Sequence, residues 1–168
     1  MRLITQSLVV CLLTAAAAAA QGFSQPVREM EKEARSAVRG VCPIQFNAGY
    51  SGLTAAADCT LSDFTQVIGT VVPQGKILVI EDVSAACQKA TADKWAALAL
   101  NATSQDRYLP LVNQATFSSG YQLLLASERI KLYARGGDKV MAYLNLVGPA
   151  SLNSACTVRF SGHLVSVQ

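Results

Sequence analysis

The side chains that could do chemistry here are few. His163 is the single histidine. Glu81 and Asp82 are adjacent carboxylates at the end of an aliphatic run, and Asp58, Asp63, Asp93, Asp106 and Glu128 are scattered through more polar stretches. Nucleophilic catalysis needs a nucleophile, a base and an orienting group brought together. No G-x-S-x-G motif accompanies His163, so it reads as a solvent-facing strand histidine. Glycoside hydrolysis needs two carboxylates flanking one bond. Glu81 and Asp82 are neighbours and point to opposite faces of a strand, and the other aspartates fall mostly in turns, where local backbone bonding explains them. Glu81 is expected either to pair with Lys131 or Arg159 across a sheet or to emerge at the strand's end, because a lone buried carboxylate is costly. There is no C-x-x-C pair, no D-x-D-x-D loop and no phosphate-cradling glycine loop. No catalytic residue, metal ligand or cofactor is therefore assigned. For binding, the available aromatics are Trp95, Tyr108, Tyr121, Tyr133 and Tyr143. Tyr133 and Tyr143 are the candidate ligand-facing pair, with cross-strand packing as the competing role.

The leader sets the compartment. Met1-Arg2, an apolar run over residues 3–13 and an alanine tract ending in A-x-A at Ala20 form the three-part pattern of a signal peptide over residues 1–20. The apolar run is too short to span a bilayer, which takes about 20 residues, so no transmembrane segment is expected in the mature chain. The formal charge of +3 falls to +2 once Arg2 is subtracted. A near-neutral body argues against a nucleic-acid partner. Removing Cys11 leaves Cys42, Cys59, Cys87 and Cys156. Four cysteines in an exported protein suggest two disulfides with three connectivities, of which Cys42–Cys59 with Cys87–Cys156 is favoured. The expected location is secreted or periplasmic.

The elements that must position these residues follow. Residues 27–41 place Val27, Met30, Ala34, Ala37, Val38 and Val41 at helical spacing, with charges between them and Pro26 and Gly40 at the ends. This predicts one amphipathic helix within residues 21–41. Residues 42–168 form the predicted β-domain. Residues 42–60 read as a loop, with a short edge strand around Ile44, Phe46 and Tyr50. Residues 64–72 and 76–83 read as a hairpin about P-Q-G. Its second strand, I-L-V-I, is too short and too β-branched for a helix. Residues 84–93 read as a polar connection. Residues 94–101 are ambiguous, and strand is preferred to helix. Asn101-Ala102-Thr103 matches a glycosylation acceptor. Residues 109–112 are a candidate strand within a long connection, and 121–126 is a clearer one. Residues 129–135 and 139–146 alternate about Gly136-Gly137-Asp138 and predict a second hairpin. Residues 155–167 alternate again, with Cys156, Val158, Phe160 and Leu164 on one face and a bulge or close approach at Gly162. The fold class is all-β, an antiparallel sandwich or jelly-roll-like body with one N-terminal helix.

Three stretches carry a resemblance: V-P-Q-G-K-I-L-V-I-E-D-V-S, I-K-L-Y-A-R-G-G-D and C-T-V-R-F-S-G-H-L-V. They resemble a group of small exported bacterial β-sandwich proteins of uncharacterised function, whose strands read V-P-x-G-K-x-L-V-I-E-x-V-S, R-L-Y-A and V-x-x-S-G-Y-L-V. The resemblance implies fold and brings no catalytic residue. The functional expectation is a non-catalytic exported module that binds a partner protein, a glycan or its own copies. The alternative is a small secreted hydrolase using His163 or a carboxylate pair. Self-assembly through the helix or a sheet edge is a third possibility.

Overall fold

Strand alternation governs the structure, a computed structural model that describes residues 36–46, 52–63, 65–151 and 153–167. Eleven strands run in order: β1 Ser36–Gln45, β2 Thr54–Asp58, β3 Thr60–Ser62, β4 Val67–Gly69, β5 Lys76–Ala90, β6 Trp95–Ala102, β7 Gln105–Leu109, β8 Val112–Thr116, β9 Tyr121–Arg135, β10 Val140–Leu146 and β11 Ala155–Ser166. They make two sheets, β4-β3-β1-β11-β5-β9-β8 and β2-β10-β6-β7, with every recorded pairing between named strands antiparallel. The larger is called sheet A and the smaller sheet B below. Their inner faces share one core, in which Ile44, Leu61, Leu78, Ile80, Leu98, Leu100, Leu144 and Val158 are fully buried. These residues belong to the compact unit Ser36–Gln168. No helix among the described residues is long and apolar enough to cross a membrane. The expected leader, and the expected helix as far as residue 35, lie outside the described residues.

The end of that helix is corrected. Ser36–Gln45 is a strand, with Val38, Gly40, Cys42 and Ile44 facing inward. Gly40 hides the alternation because it contributes no apolar side chain. The Phe160 ring fills its place: a Cβ built on Gly40 would lie 2.0 Å from the ring, and the two residues are cross-strand partners.

Both expected hairpins are also corrected. β5 pairs with β11 and β9, not with residues 64–72. Of that segment β4 pairs with β3, Val71 bridges to Lys139, and Val72 bonds the turn at Gly137 and Asp138. β9 and β10 likewise lie in different sheets, so Gly136-Gly137-Asp138 carries the chain from one layer to the other. The expected connection at 84–93 is largely strand, since β5 continues to Ala90. Residues 94–101 are a strand, as preferred. Both favoured disulfides form: Cys42–Cys59 ties β1 to the start of β3, and Cys87–Cys156 joins directly opposed residues of β5 and β11.

β5 carries a bulge. Inward residues are Leu78 and Ile80 before it and Val83, Ala85 and Cys87 after it, a change of parity across Glu81-Asp82. Against β11, Ile80 opposes Gly162 and Asp82 opposes Ser161, so Glu81 is the extra residue. Gly162 allows the strands to close there, because a Cβ on it would lie 2.0 Å from the Val79 carbonyl oxygen. The sequence expectation of a bulge or close approach at Gly162 therefore holds. A second irregularity lies between β10 and β6, where Asn145 opposes Ala97 and Leu146 opposes Trp95. Ala96 is skipped, which turns Trp95 toward the core, where it packs near Phe46 with ring centroids 6.2 Å apart.

Candidate functional site

The chemistry-bearing residues fall on two opposite surfaces. On the outer face of sheet A the register aligns His163, Val79 and Tyr133 across β11, β5 and β9. The bulge places Glu81 beside this row. His163 Nδ1 lies 3.3 Å from Glu81 Oε2, so the side chain that meets Glu81 is His163 and not Lys131 or Arg159. Lys131 instead sits 5.9 Å from the Tyr133 ring centroid, a cation–π arrangement that covers part of the aromatic plane.

A histidine–carboxylate contact is half of a nucleophile-activating system. The other half is missing among the described residues: no hydroxyl or thiol is hydrogen-bonded to the His163 ring, and Cys42, Cys59, Cys87 and Cys156 are in disulfides. The carboxylates are also taken. Asp58 pairs with Lys139, Asp82 with Arg129 and Glu128 with Arg107. Asp63 accepts from Thr65 and the Gln66 amide in a tight turn. Asp138 accepts from the Thr103 hydroxyl and the Arg135 amide. None of these contacts joins two carboxylates, and no cluster of potential metal ligands occurs among the described residues.

Asp93 is the buried member of the set. It accepts the Ser151 amide at 3.1 Å, the Ser151 hydroxyl at 2.6 Å and the Ser154 hydroxyl at 2.5 Å. Burial pushes its pKa up, but the hydroxyl and amide donors outweigh burial and hold it below the ordinary carboxylate value. The arrangement ties the β5–β6 turn to the segment before β11 and is structural.

The outer face of sheet B is different. Here Tyr143 of β10, Ala99 of β6 and Tyr108 of β7 stand in one cross-strand row, and Asn101 and Asp106 pair in the next. Ala99 has no exposed surface although it faces outward. Tyr143 and Tyr108 flank it in the row, and the Tyr143 phenol interacts across β6 with Asp106 and Tyr108 on the far strand. Burial and then the Asp106 carboxylate hold its phenol well above the ordinary tyrosine value. Asp106 is held low by the Asn101 amide, which donates to it at 2.5 Å, and by the Tyr143 hydroxyl. Tyr108 remains 57% exposed. Beneath this platform, the two-residue β6–β7 turn holds Thr103 and Ser104 at positive φ, 50° and 63°, a conformation that costs non-glycine residues free energy. The Thr103 bond to Asp138 helps to hold it.

Tyr133 and Tyr143 are thus on opposite outer faces and do not form one site. Tyr108, Asp106 and Asn101 complete the Tyr143 cluster. Tyr108 is legible as an available aromatic, but the cross-strand register that joins it to Tyr143 has no sequence signal.

No family model matches the chain, and no curated protein matches it. Among solved structures, the chain is similar to a crystal structure of murine APRIL at pH 5.0, with 11% identity over 73% of this chain and 98% of that one and a TM-score of 0.30. A second structure of murine APRIL, at pH 8.0, gives 10% identity over 74% and 97% and a TM-score of 0.32. Likeness at this level carries no functional argument, and the two-sheet fold rests on the strands themselves.

Proposed function

We propose that this protein is an exported, non-catalytic binding module and that the outer face of sheet B holds a glycan. The observation that carries the reading is Tyr108, an exposed ring beside Tyr143, with Asp106 and Asn101 fixed next to both. Exposed tyrosines offer flat apolar area with a polar rim and little conformational entropy to lose. A sugar ring stacks on such a plane, while a fixed carboxylate and amide discriminate its hydroxyls. Tyr133 is the lesser candidate because Lys131 already lies against it.

Export is supported by the leader-like residues 1–20 and by two disulfides, which persist in oxidising compartments. A secreted or periplasmic bacterial protein fits both, with residues 21–41 ahead of a body over residues 42–168 extended by the strand from Ser36. The jelly-roll-like reading is supported by the chain's crossings between layers after β9 and after β10.

The test is a glycan array probed with the wild-type protein, Tyr108→Ala and Tyr143→Phe. The wild type should bind a restricted set of glycans, and Tyr108→Ala should weaken binding by about tenfold or more with an unchanged melting temperature. Absence of any glycan binding, or full retention in Tyr108→Ala, contradicts the reading. The His163–Glu81 contact favours one second reading, a small hydrolase. That reading requires activity on an ester or glycan panel that vanishes in His163→Ala.

A further inference from the structure

On the side away from β1 and β2, β7 edges sheet B, and β8, with β9 inside it, edges sheet A. A cleft of about 770 Å³ opens there. That volume lies within the ordinary range for small-molecule sites, roughly 300–1,000 Å³. Its floor is apolar, formed by Leu98, Leu109 and Leu124 with Trp95 beside them. Its rim carries Lys89, Lys94 and Arg107.

Two features point to an occupant. The first is an orphan donor. Trp95 Nε1 is buried and has no hydrogen-bond partner among the described residues. Such a group costs free energy unless an acceptor meets it. The irregularity that skips Ala96 turns this ring inward, so the unpaired N–H is a product of the fold and not a surface accident. The second feature is charge. Both acids lining the cleft are already engaged, Glu128 by Arg107 and Asp93 by Ser151 and Ser154. Lys89 is bonded to the Asp93 carbonyl oxygen, and Lys94 is exposed at the mouth. The surplus charge is positive.

We infer that this cleft binds an amphiphilic carboxylate, an acyl chain on the leucine floor with its head group between Lys94 and the Trp95 N–H. Entry of the ligand turns the indole edge toward the head group, which satisfies the orphan donor. No bond is made or broken. The cleft borders the proposed glycan platform, because Tyr108 lines it as well, but Tyr143, which completes that platform, does not line the cleft.

Trp95 is the single tryptophan of the chain, so tryptophan emission, excited selectively over tyrosine, reports this site alone. The experiment is a titration of the full mature protein with decanoate below its micellar range, beside decanol and decylamine of equal chain length. Decanoate should shift and saturate the Trp95 emission, and decanol should bind about tenfold more weakly because it lacks the charged head. Lys94→Glu, a change at an exposed residue, should weaken decanoate by about tenfold, while Tyr143→Phe should leave it unchanged. Calorimetry on Trp95→Phe, where the donor is gone, should show the same direction of loss. An emission that does not respond to decanoate, decanol or decylamine binding as well as decanoate, or wild-type affinity in Lys94→Glu overturns the inference. Because Tyr108 lines the cleft as well, the two proposals are told apart at Lys94 and Tyr143: Lys94→Glu should leave glycan binding intact and Tyr143→Phe should leave decanoate binding intact, so they fail separately.

Discussion

Asp93 and Gly162 show how much can rest on one side chain or on its absence. Asp93 accepts donors from both serines of the segment before β11, and Ser154 in turn accepts the Ala90 amide. Asp93→Asn turns half of the acceptor into a donor facing other donors, and should cost about 1–3 kcal/mol in chemical denaturation. Its pKa is depressed on folding. The unfolded chain therefore takes up the proton first, and the stabilisation is complete above the ordinary aspartate value of 3.8 and drains as pH falls through the lower folded value. Asp63, Asp106 and Asp138 shift in the same direction through their own hydrogen bonds. The melting temperature should fall as the solution is acidified below that value, and less steeply in Asp93→Asn than in the wild type. At Gly162 a Cβ would meet main chain and not a movable side chain. Gly162→Val should cost about 1–3 kcal/mol or more, whereas Gly148→Ala, with nothing within 4 Å, should be close to neutral.

Among the elements, the disulfides are the sharpest comparison. Cys42–Cys59 closes 17 residues and Cys87–Cys156 closes 69. On chain-entropy grounds alone these are worth about 3 and about 4 kcal/mol. Replacing Cys87 and Cys156 together by alanine should therefore lower stability more than the same change at Cys42 and Cys59, read as denaturation midpoints. Strand identity was legible wherever alternation was strict, as in β10 and β11, whose buried faces are those the sequence predicts. It failed where one residue broke the pattern. Gly40 masked the alternation of β1 and let Ala37, Val38 and Val41 fit a helical stripe. Partner choice was less legible than identity. A glycine-rich turn between two alternating runs looks the same whether the strands pair, as in a hairpin, or part into different sheets, as β9 and β10 do. The site suffered most from this. Tyr143 meets Asp106 and Tyr108 only because β6 lies between β10 and β7, a long-range fact with no local trace. The bulge at Glu81 was visible in principle, as the change of parity between Ile80 and Val83.

For the whole molecule, the order of the larger sheet predicts where the structure opens. β5 and β11 sit inside sheet A and are joined by Cys87–Cys156, while β4 and β8 are its edges. Amide exchange should be slowest over Leu78–Ile80 and Val158–Phe160 and fastest in β4 and β8. The inter-sheet pair Arg107–Glu128 spans the open side but is half exposed, so Glu128→Gln should change stability by less than about 1 kcal/mol. The outer face of sheet B stands apart from this core and is free to serve recognition. The most direct test of that role is an amide-correlation titration of the isotope-labelled protein with the strongest glycan from the array. The account predicts shifts confined to Asn101, Asp106, Tyr108, Tyr143 and their neighbours on that face. Shifts centred on Glu81 and His163, or no shifts at saturating glycan, would contradict it.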